Sequence, residues 1–565
     1  MTTPSVGGKI SAAAESFAAE IISRVAAKAA AASASPEGGD GFEVDESTKS
    51  TLTDLFETIH AGQPSEKTDL LDRMGLEIPA SNHDSTVLLT GATGYLGTML
   101  LFTLLKHREQ LRMRRLILLT RSGKKQSAHD RIAAILAQDF FKPFLIRDGT
   151  HFKELITVVD FDLQKADALL DDKALGGLLV KSNVTHVIHA AANVKFDQTP
   201  KSAAESNIGP SLAMQRLARK LRAKHLHIST AFVHGNNGGT LDRPLPQELA
   251  KLPDLIDTPE EIYEAMLDMN RQDYCRTAMH KSNFPNMYAF SKCITEHLLA
   301  ARHEPGQHIS MVLRPSIVGP ALQQPFEGWS GRMPTTIVGA AMAHLSFPAA
   351  VWFASERPVA FIPVDVVARH IINKAFTDNT DNTANAKTGF RLYNTAWNHP
   401  IGAPTSFSWI SMIHGYSSAA VLWKYVKKST AAISVALNLE FLPQAFETFL
   451  PSSAFLPIHA ALTNGAINLQ ALLTDVPFCD TKLNTTRKVA NIPALYYPYC
   501  SREFIFETDL LVPDNMDGNR YNLSVSAAGH SFLQKKKEAR LYMAKQRLGS
   551  GGKDSSSKRL LKSKL

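Results

Sequence analysis

Three glycines spaced three apart, directly after an apolar run, constrain this chain more than any other feature. Val87-Leu88-Leu89-Thr90 leads into Gly91-Ala92-Thr93-Gly94-Tyr95-Leu96-Gly97, and Thr98 to Lys106 reads as a helix. Strand, glycine turn and helix in that order form a cradle for a pyrophosphate. Gly91 permits the tight turn, Gly94 lets the backbone approach the phosphates, and Gly97 lets the helix pack close to the strand. The N–H groups and positive dipole end of that helix face the phosphate charge. The spacing is GxxGxxG rather than GxGxxG, so its weight comes from its placement between strand and helix.

Further short apolar runs follow at Leu116–Thr120, Leu155–Val159, Thr185–His189, His225–Ser229 and Ile309–Leu313, with helical stretches between them. That alternation predicts a Rossmann-type doubly wound α/β fold, a parallel sheet buried on both faces. Right-handed crossovers then bring the residues that follow each strand to one edge. The expected organisation is an N-terminal extension over 1–80, a nucleotide-binding domain over 81–400, a smaller, mainly helical C-terminal domain over 401–530 and a basic tail over 531–565. The extension holds an alanine-rich helical stretch, Ser11 to Ala32, and a Ser/Pro/Gly linker, Ser33 to Gly41. Glu15 and Glu20 do not suit a transit peptide, which would be poor in acids, so the stretch reads as mobile or loosely docked.

Charge and cysteine usage remove several function classes. The chain has 565 residues and a net charge of +8, but Lys535 to Leu565 alone carries eleven Lys or Arg against two acids, leaving −1 for everything upstream. Basicity confined to a tail is not the footprint of a nucleic-acid enzyme. Cys275, Cys293, Cys479 and Cys500 stand far apart with no CxxC pair, so neither a disulfide framework nor a metal site is expected. Met333–Ser355 and Thr448–Thr474 are the longest uncharged runs, yet internal Pro and His keep either from reading as a clean membrane span. Either could line an apolar pocket or touch a membrane surface peripherally.

The end of the second strand bears on the cofactor. An acidic residue about 20 positions past the glycines would hold the ribose 2′-hydroxyl of NAD. Here Thr120-Arg121-Ser122-Gly123-Lys124-Lys125 offers cations instead, which favours the 2′-phosphate of NADPH, with Arg121 the expected contact. Asp162, after the third strand, is an adenine contact or a helix cap. Tyr288 and Lys292 are four apart on a helical stretch and so share a face. An ammonium there favours the phenolate of a tyrosine whose ordinary pKa is about 10. Tyr288 could then exchange a proton with a substrate oxygen while Lys292 holds the nicotinamide ribose. A hydroxyl donor is expected from the end of the fifth strand: Thr230 first, Ser229 second, because alternate strand residues point opposite ways.

These residues resemble the extended short-chain dehydrogenases, and a wider set is similar to one branch of them. His189-Ala190-Ala191-Ala192-Asn193-Val194-Lys195-Phe196-Asp197, Ser229-Thr230-Ala231-Phe232, Pro285-Asn286-Met287-Tyr288, Leu313-Arg314-Pro315-Ser316-Ile317-Val318-Gly319, Pro325-Phe326-Glu327-Gly328-Trp329 and Ile362-Pro363-Val364-Asp365 look like the fatty acyl-CoA reductases over roughly residues 84 to 400. The 236–284 insertion is also family-like, whereas Phe232 stands where the family usually has tyrosine. The resemblance implies reduction of a long-chain acyl-CoA by NADPH through an aldehyde to a primary alcohol, with Thr230 and Tyr288 stabilising the oxyanion. It also implies that Asn207 positions Lys292 through water. The expected cofactor contacts are Thr90, Gly91, Thr93, Gly94, Tyr95, Leu96, Gly97, Arg121, Asp162, Ala191, Asn207, Tyr288, Lys292 and Pro315. Alternatives are an enzyme that stops at the aldehyde, a sterol or nucleotide-sugar dehydrogenase, and a non-catalytic NADP-binding scaffold for a lipid enzyme. Ser563-Lys564-Leu565 matches a peroxisomal import address, read by an import receptor. With the resemblance, it points to ether-lipid synthesis in a peroxisome or a related organelle such as the glycosome.

Overall fold

The structure, a computed structural model, describes residues 70–144, 154–165, 173–235, 237–252, 257–306, 308–331, 360–377, 389–397, 498–499 and 502–510. In chain order its main elements are β1 (Ser85–Thr90), α1 (Tyr95–Lys106), β2 (Met113–Thr120), α2 (Ala128–Leu136), β3 (Ile156–Asp160), α3 (Lys173–Lys181), β4 (His186–His189), α4 (Gly209–Leu221) and β5 (Lys224–Ile228). There follow α5 (Pro259–Leu267), α6 (Gln272–Lys281), α7 (Met287–Ala301), β6 (Ser310–Pro315), β7 (Ile317–Gly319), β8 (Phe361–Pro363), α8 (Val364–Phe376) and β9 (Phe390–Thr395).

Seven strands form one parallel sheet in the order β3-β2-β1-β4-β5-β6-β9, and β7 and β8 pair separately. The six expected strands are all present, with ends shifted by up to three residues at β2. The seventh, β9, was not anticipated: Phe390-Arg391-Leu392-Tyr393-Asn394-Thr395 lies at the sheet edge with mixed burial and lacks the continuous apolar run of a central strand. Leu88 of β1 packs with Leu179, Met214 and Leu217 on one face. Val87 and Leu89 pack with α1 and α8 residues on the other. That alternation is the two-sided burial of a central parallel strand. Helix α1 is apolar nearly all round because it lies between the sheet and α8, with Gly97 through Leu105 buried.

Both ends of the nucleotide-binding domain differ from the sequence expectation. Leu71, Met74, Leu76 and Ile78, counted there with the N-terminal extension, are buried in the main core, and Asp72 Oδ1 accepts from Arg369 Nη1 at 3.0 Å. A single helical turn, Leu70–Arg73, is too short to show a period in sequence. Residues 502–510, counted with the C-terminal domain, also belong to this body: Phe504 bridges to Gly239 and Phe506 to Leu245. The alanine-rich stretch, Met333–Ser355, Thr448–Thr474, most of 401–530 and the Ser563-Lys564-Leu565 tripeptide lie outside the described residues. Among the described residues, no helix is long and apolar enough to cross a membrane.

The sheet order reverses between β1 and β4, since β2 and β3 lie to one side and β5, β6 and β9 to the other. Beyond the C-terminal ends of β1 and β4 a doubly wound sheet leaves a crevice. Gly91, Ala191, Ser229 and Thr230 therefore gather at one edge, close to where β1, β4 and β5 end.

Candidate active site

The glycine turn is built as its sterics require. Gly91 has φ +76°, and a Cβ there would meet the backbone of Ala190 and Ala191 at 2.7 Å. Gly97 sits against the turn itself, where a Cβ would come within 1.9 Å of the Gly91 carbonyl oxygen. Gly94, with φ −82° and ψ 175°, is the N-cap of α1 and has no side-chain cap to compete with an anion for the first N–H groups. We expect Gly97→Ala to cost about 1–3 kcal/mol, because a rigid backbone carbonyl must move. Thermal melting checks the stability loss, and dinucleotide titration should show weakened binding. A melting point equal to wild type would mean that the turn relaxes freely.

Around this turn the expected cofactor residues divide into two groups. Thr90 is fully buried, shares a 2.8 Å hydrogen bond with His189 Nδ1 and accepts from Ala191 N at 3.2 Å. It thus ties β1 to the loop after β4. Tyr95 donates to the Gly319 carbonyl at 2.7 Å and stacks on Trp329 with ring centroids 5.3 Å apart. Leu96 packs against the core, and Pro315 ends β6 opposite Thr395. These four shape the walls. Gly91, Thr93, Gly94, Gly97 and Ala191 present backbone or a short side chain at the crevice.

At the adenosine end, Arg121 follows β2 directly and is exposed. A second cation that the sequence reading passed over stands beside it: Arg131 on α2 donates from Nη2 to Thr93 Oγ1 at 2.8 Å and from Nη1 to the Arg121 carbonyl at 2.5 Å. The Arg131 guanidinium therefore stands against the phosphate turn, with the backbone of Arg121 beside it. Asp162 is engaged locally, accepting from Gln164 N at 3.1 Å, which is the capping alternative. Asp160, the acid nearest the end of β2, is held by the Ser122 N–H and hydroxyl, which keep its carboxyl below the ordinary range.

The reacting end is assembled by α7. Its N-cap, Asn286, accepts from Ala289 N at 3.0 Å, and Tyr288 and Lys292 follow on one face. The Tyr288 hydroxyl shares a hydrogen bond with Thr230, whose Oγ1 also accepts from Phe232 N at 3.4 Å. Ser229, by contrast, holds a buried hydroxyl with no hydrogen-bond partner among the described residues. Lys292 is fully buried and donates to the Ile228 carbonyl at 2.7 Å. Asn207 sits in a wide helical turn, Ala204–Ile208. Its amide grips Asn193, accepting from N at 2.8 Å and donating to O at 3.2 Å, and also donates to Ser291 Oγ at 3.2 Å. It acts on the loop after β4 and on the residue next to Lys292.

Electrostatics here run against the sequence expectation for Tyr288. Tyr288 keeps partial surface exposure, yet burial pushes its phenol up to about 12, and the Thr230 hydroxyl pulls back only part of that. Burial likewise brings the Lys292 ammonium down to about 8, with the Glu296 carboxylate opposing the drop. Desolvation, not a neighbouring ammonium, decides the direction of the shift. Tyr288 therefore keeps its proton at neutral pH.

Two further walls close the site. The loop 319–331 is pinned by the buried Asp365 carboxylate, which accepts from Leu322, Gln323 and Gln324 N at 2.8–2.9 Å. Residues 498–499 and 502–510 bring Tyr499, Phe504 and Phe506 onto Phe232, with ring centroids 4.9, 5.2 and 5.8 Å away.

Comparison with known proteins gives the family of the chain. The family profile described as Male sterility protein, an NAD-binding domain, matches residues 89–371, half of the chain. Human fatty acyl-CoA reductase 2 is 30% identical over 43% of this chain and 45% of its own length. The putative fatty acyl-CoA reductase CG8303 of Drosophila melanogaster is 27% identical over 45% of each chain. The match thus spans less than half the length of the curated relatives. Among solved structures, the reductase domain of a nonribosomal peptide synthetase from Mycobacterium tuberculosis aligns at 16% identity and TM-score 0.47, over 83% of this chain and 96% of that one. The cradle that a Cβ would fill at Gly91 and Gly97, the uncapped start of α1 and Arg131 beside Thr93 fit a nicotinamide dinucleotide. With its glycine turn at the switch point of the sheet and the profile running from β1 into α8, this chain belongs to the male sterility protein family of NAD-binding domains.

Proposed function

We propose that the chain is an oxidoreductase that reduces a long-chain fatty acyl-CoA to a primary alcohol and CoA at the expense of NADPH. The observation that carries the reading is the hydrogen-bonded Thr230–Tyr288 pair with Lys292 one helical turn further along, set at the edge where the glycine turn opens. The fatty acyl-CoA reductase relatives supply the substrate class. Arg121 and Arg131 support NADPH over NADH, since a 2′-phosphate calls for cations where a 2′-hydroxyl calls for an acid.

When bound, the cofactor supplies hydride to the carbonyl carbon. The rest belongs to the chain. Thr230 and Tyr288 aim hydroxyls at the oxygen that gains charge, and preset donors in a site depleted of water are worth more than in solution. After the first hydride the oxyanion collapses and the C–S bond breaks, expelling CoA thiolate and leaving an aldehyde. After a second hydride, from a second NADPH, Tyr288 gives its proton to the alkoxide, and the Lys292 ammonium offsets the negative charge left on the phenol. Lys292 is held in place by the Ile228 carbonyl, and Asn207 fixes the neighbouring Ser291. Import through Ser563-Lys564-Leu565 into a peroxisome-type organelle, peripheral membrane contact and supply of ether-lipid synthesis belong to the same proposal; they rest on the sequence reading alone.

The test is stoichiometric: NADPH consumed per CoA thiol released, with palmitoyl-CoA and purified protein. Two per thiol is the expected result. One per thiol would mean that the reaction stops at the aldehyde. No turnover at any acyl length, with NADPH binding intact, would overturn the substrate class.

A further inference from the structure

Tyr499 reaches the active site from far along the chain. Its hydroxyl accepts a 2.6 Å hydrogen bond from Asn286 Nδ2, across 213 residues of sequence. Asn286 is the N-cap of α7, and its Oδ1 already accepts from Ala289 N. An amide has one acceptor oxygen and one donor nitrogen, so the bond to Tyr499 fixes which way the cap faces. Tyr288 lies in the first turn of that helix, two residues from the cap. The Tyr499 ring stands edge-on to Phe232, and its centroid is 5.7 Å from that of Phe196, which is in turn 6.2 Å from that of Tyr288. Residues 502–510, a few positions further along, are anchored: Leu245 N donates to the Ile505 carbonyl and Glu507 N to the Leu245 carbonyl, both at 2.8 Å, and Asn394 Nδ2 holds the Glu507 carbonyl at 2.9 Å.

Resting on the reductase reading above, we propose that Tyr499 is a positioning and specificity residue for the reaction. Its hydroxyl locks the Asn286 cap and with it the helical turn that presents Tyr288. Its ring, with Phe196, forms an apolar wall for the acyl methylenes next to the thioester carbon. The two roles separate chemically, because Tyr499→Phe removes only the hydroxyl while Tyr499→Leu also removes the flat wall.

The experiment uses the full chain with two readouts, amide hydrogen exchange over residues 287–290 and steady-state kinetics with acyl-CoAs of 12 to 18 carbons. For Tyr499→Phe, a lost hydrogen bond should raise exchange and lower kcat by about fivefold each, while KM for acyl-CoA and NADPH affinity hold. Tyr499→Leu should in addition raise KM by one common factor at every chain length, since all these substrates share the methylenes beside the carbonyl. Wild-type exchange and kcat in Tyr499→Phe would overturn the positioning role, and an unchanged KM in Tyr499→Leu would overturn the wall. If the wild type turned over no acyl-CoA while exchange still rose in Tyr499→Phe, the positioning role would stand and the substrate reading would fall.

Discussion

Tyr288→Phe should lower kcat by about 10²- to 10⁴-fold, the usual worth of a positioned general acid, while NADPH affinity changes by no more than about fivefold. The hydroxyl is the only atom removed, and the aromatic contact with Phe196 is kept. Burial holds the phenol near 12, so Tyr288 carries its proton throughout the neutral range and does not set the pH limit. Lys292 sets it. Its ammonium, brought down to about 8 by burial, is charged below that pH and lost as pH rises through it. The rate should therefore fall on an alkaline limb near 8 in the wild type. Lys292→Arg should remove that limb, because a guanidinium stays charged. Pre-steady-state rates across pH 6 to 10, beside a nucleotide titration by fluorescence, measure both effects. Wild-type turnover in Tyr288→Phe would take the phenol out of the chemistry.

What was legible in the sequence was what rests on local sterics and short spacing. Gly91 and Gly97 announce themselves because a Cβ at Gly91, already at positive φ, would meet backbone at 2.7 Å, and one at Gly97 would come within 1.9 Å of a carbonyl. Tyr288 and Lys292 are four residues apart, so one helical turn suffices to pair them. Arg131 escaped notice because its partner, Thr93, lies 38 residues away and only the fold of β2 and α2 brings them together. Tyr499 was still further out of reach, joined to Asn286 across 213 residues of sequence. The strand β9 was missed for a different reason. An edge strand carries polar residues such as Arg391 and Asn394, and the partners of Asn394 are tertiary: it holds the carbonyls of Leu245 and Glu507. The direction of the Tyr288 shift was misread because spacing reports a nearby charge but not how much water has been removed.

The largest stability effect is expected one further turn along the catalytic helix. Tyr288, Lys292 and Glu296 follow each other at four-residue intervals, and Glu296 is paired with Arg314 in the core, both almost completely buried. Arg314 Nε lies 3.0 and 3.1 Å from the two carboxylate oxygens, and Nη2 lies 2.5 Å from Oε2. Arg314 also donates to the Glu248 carbonyl at 2.8 Å, in the strand-like stretch whose Leu245 bonds to residues 505 and 507. Glu296→Ala would leave a guanidinium buried with carbonyls alone and should cost about 3–5 kcal/mol. Glu296→Gln keeps the shape and an acceptor, so it should cost less and report on function. The Glu296 carboxylate props up the Lys292 ammonium against desolvation; without that charge the Lys292 pKa falls further, and the alkaline limb of the rate must move below 8. Urea unfolding of the alanine variant and the pH–rate profile of the glutamine variant test the two halves separately. A limb that stays in place in Glu296→Gln would mean that Lys292 does not set it, and the assignment of the pH dependence to that lysine would have to be given up.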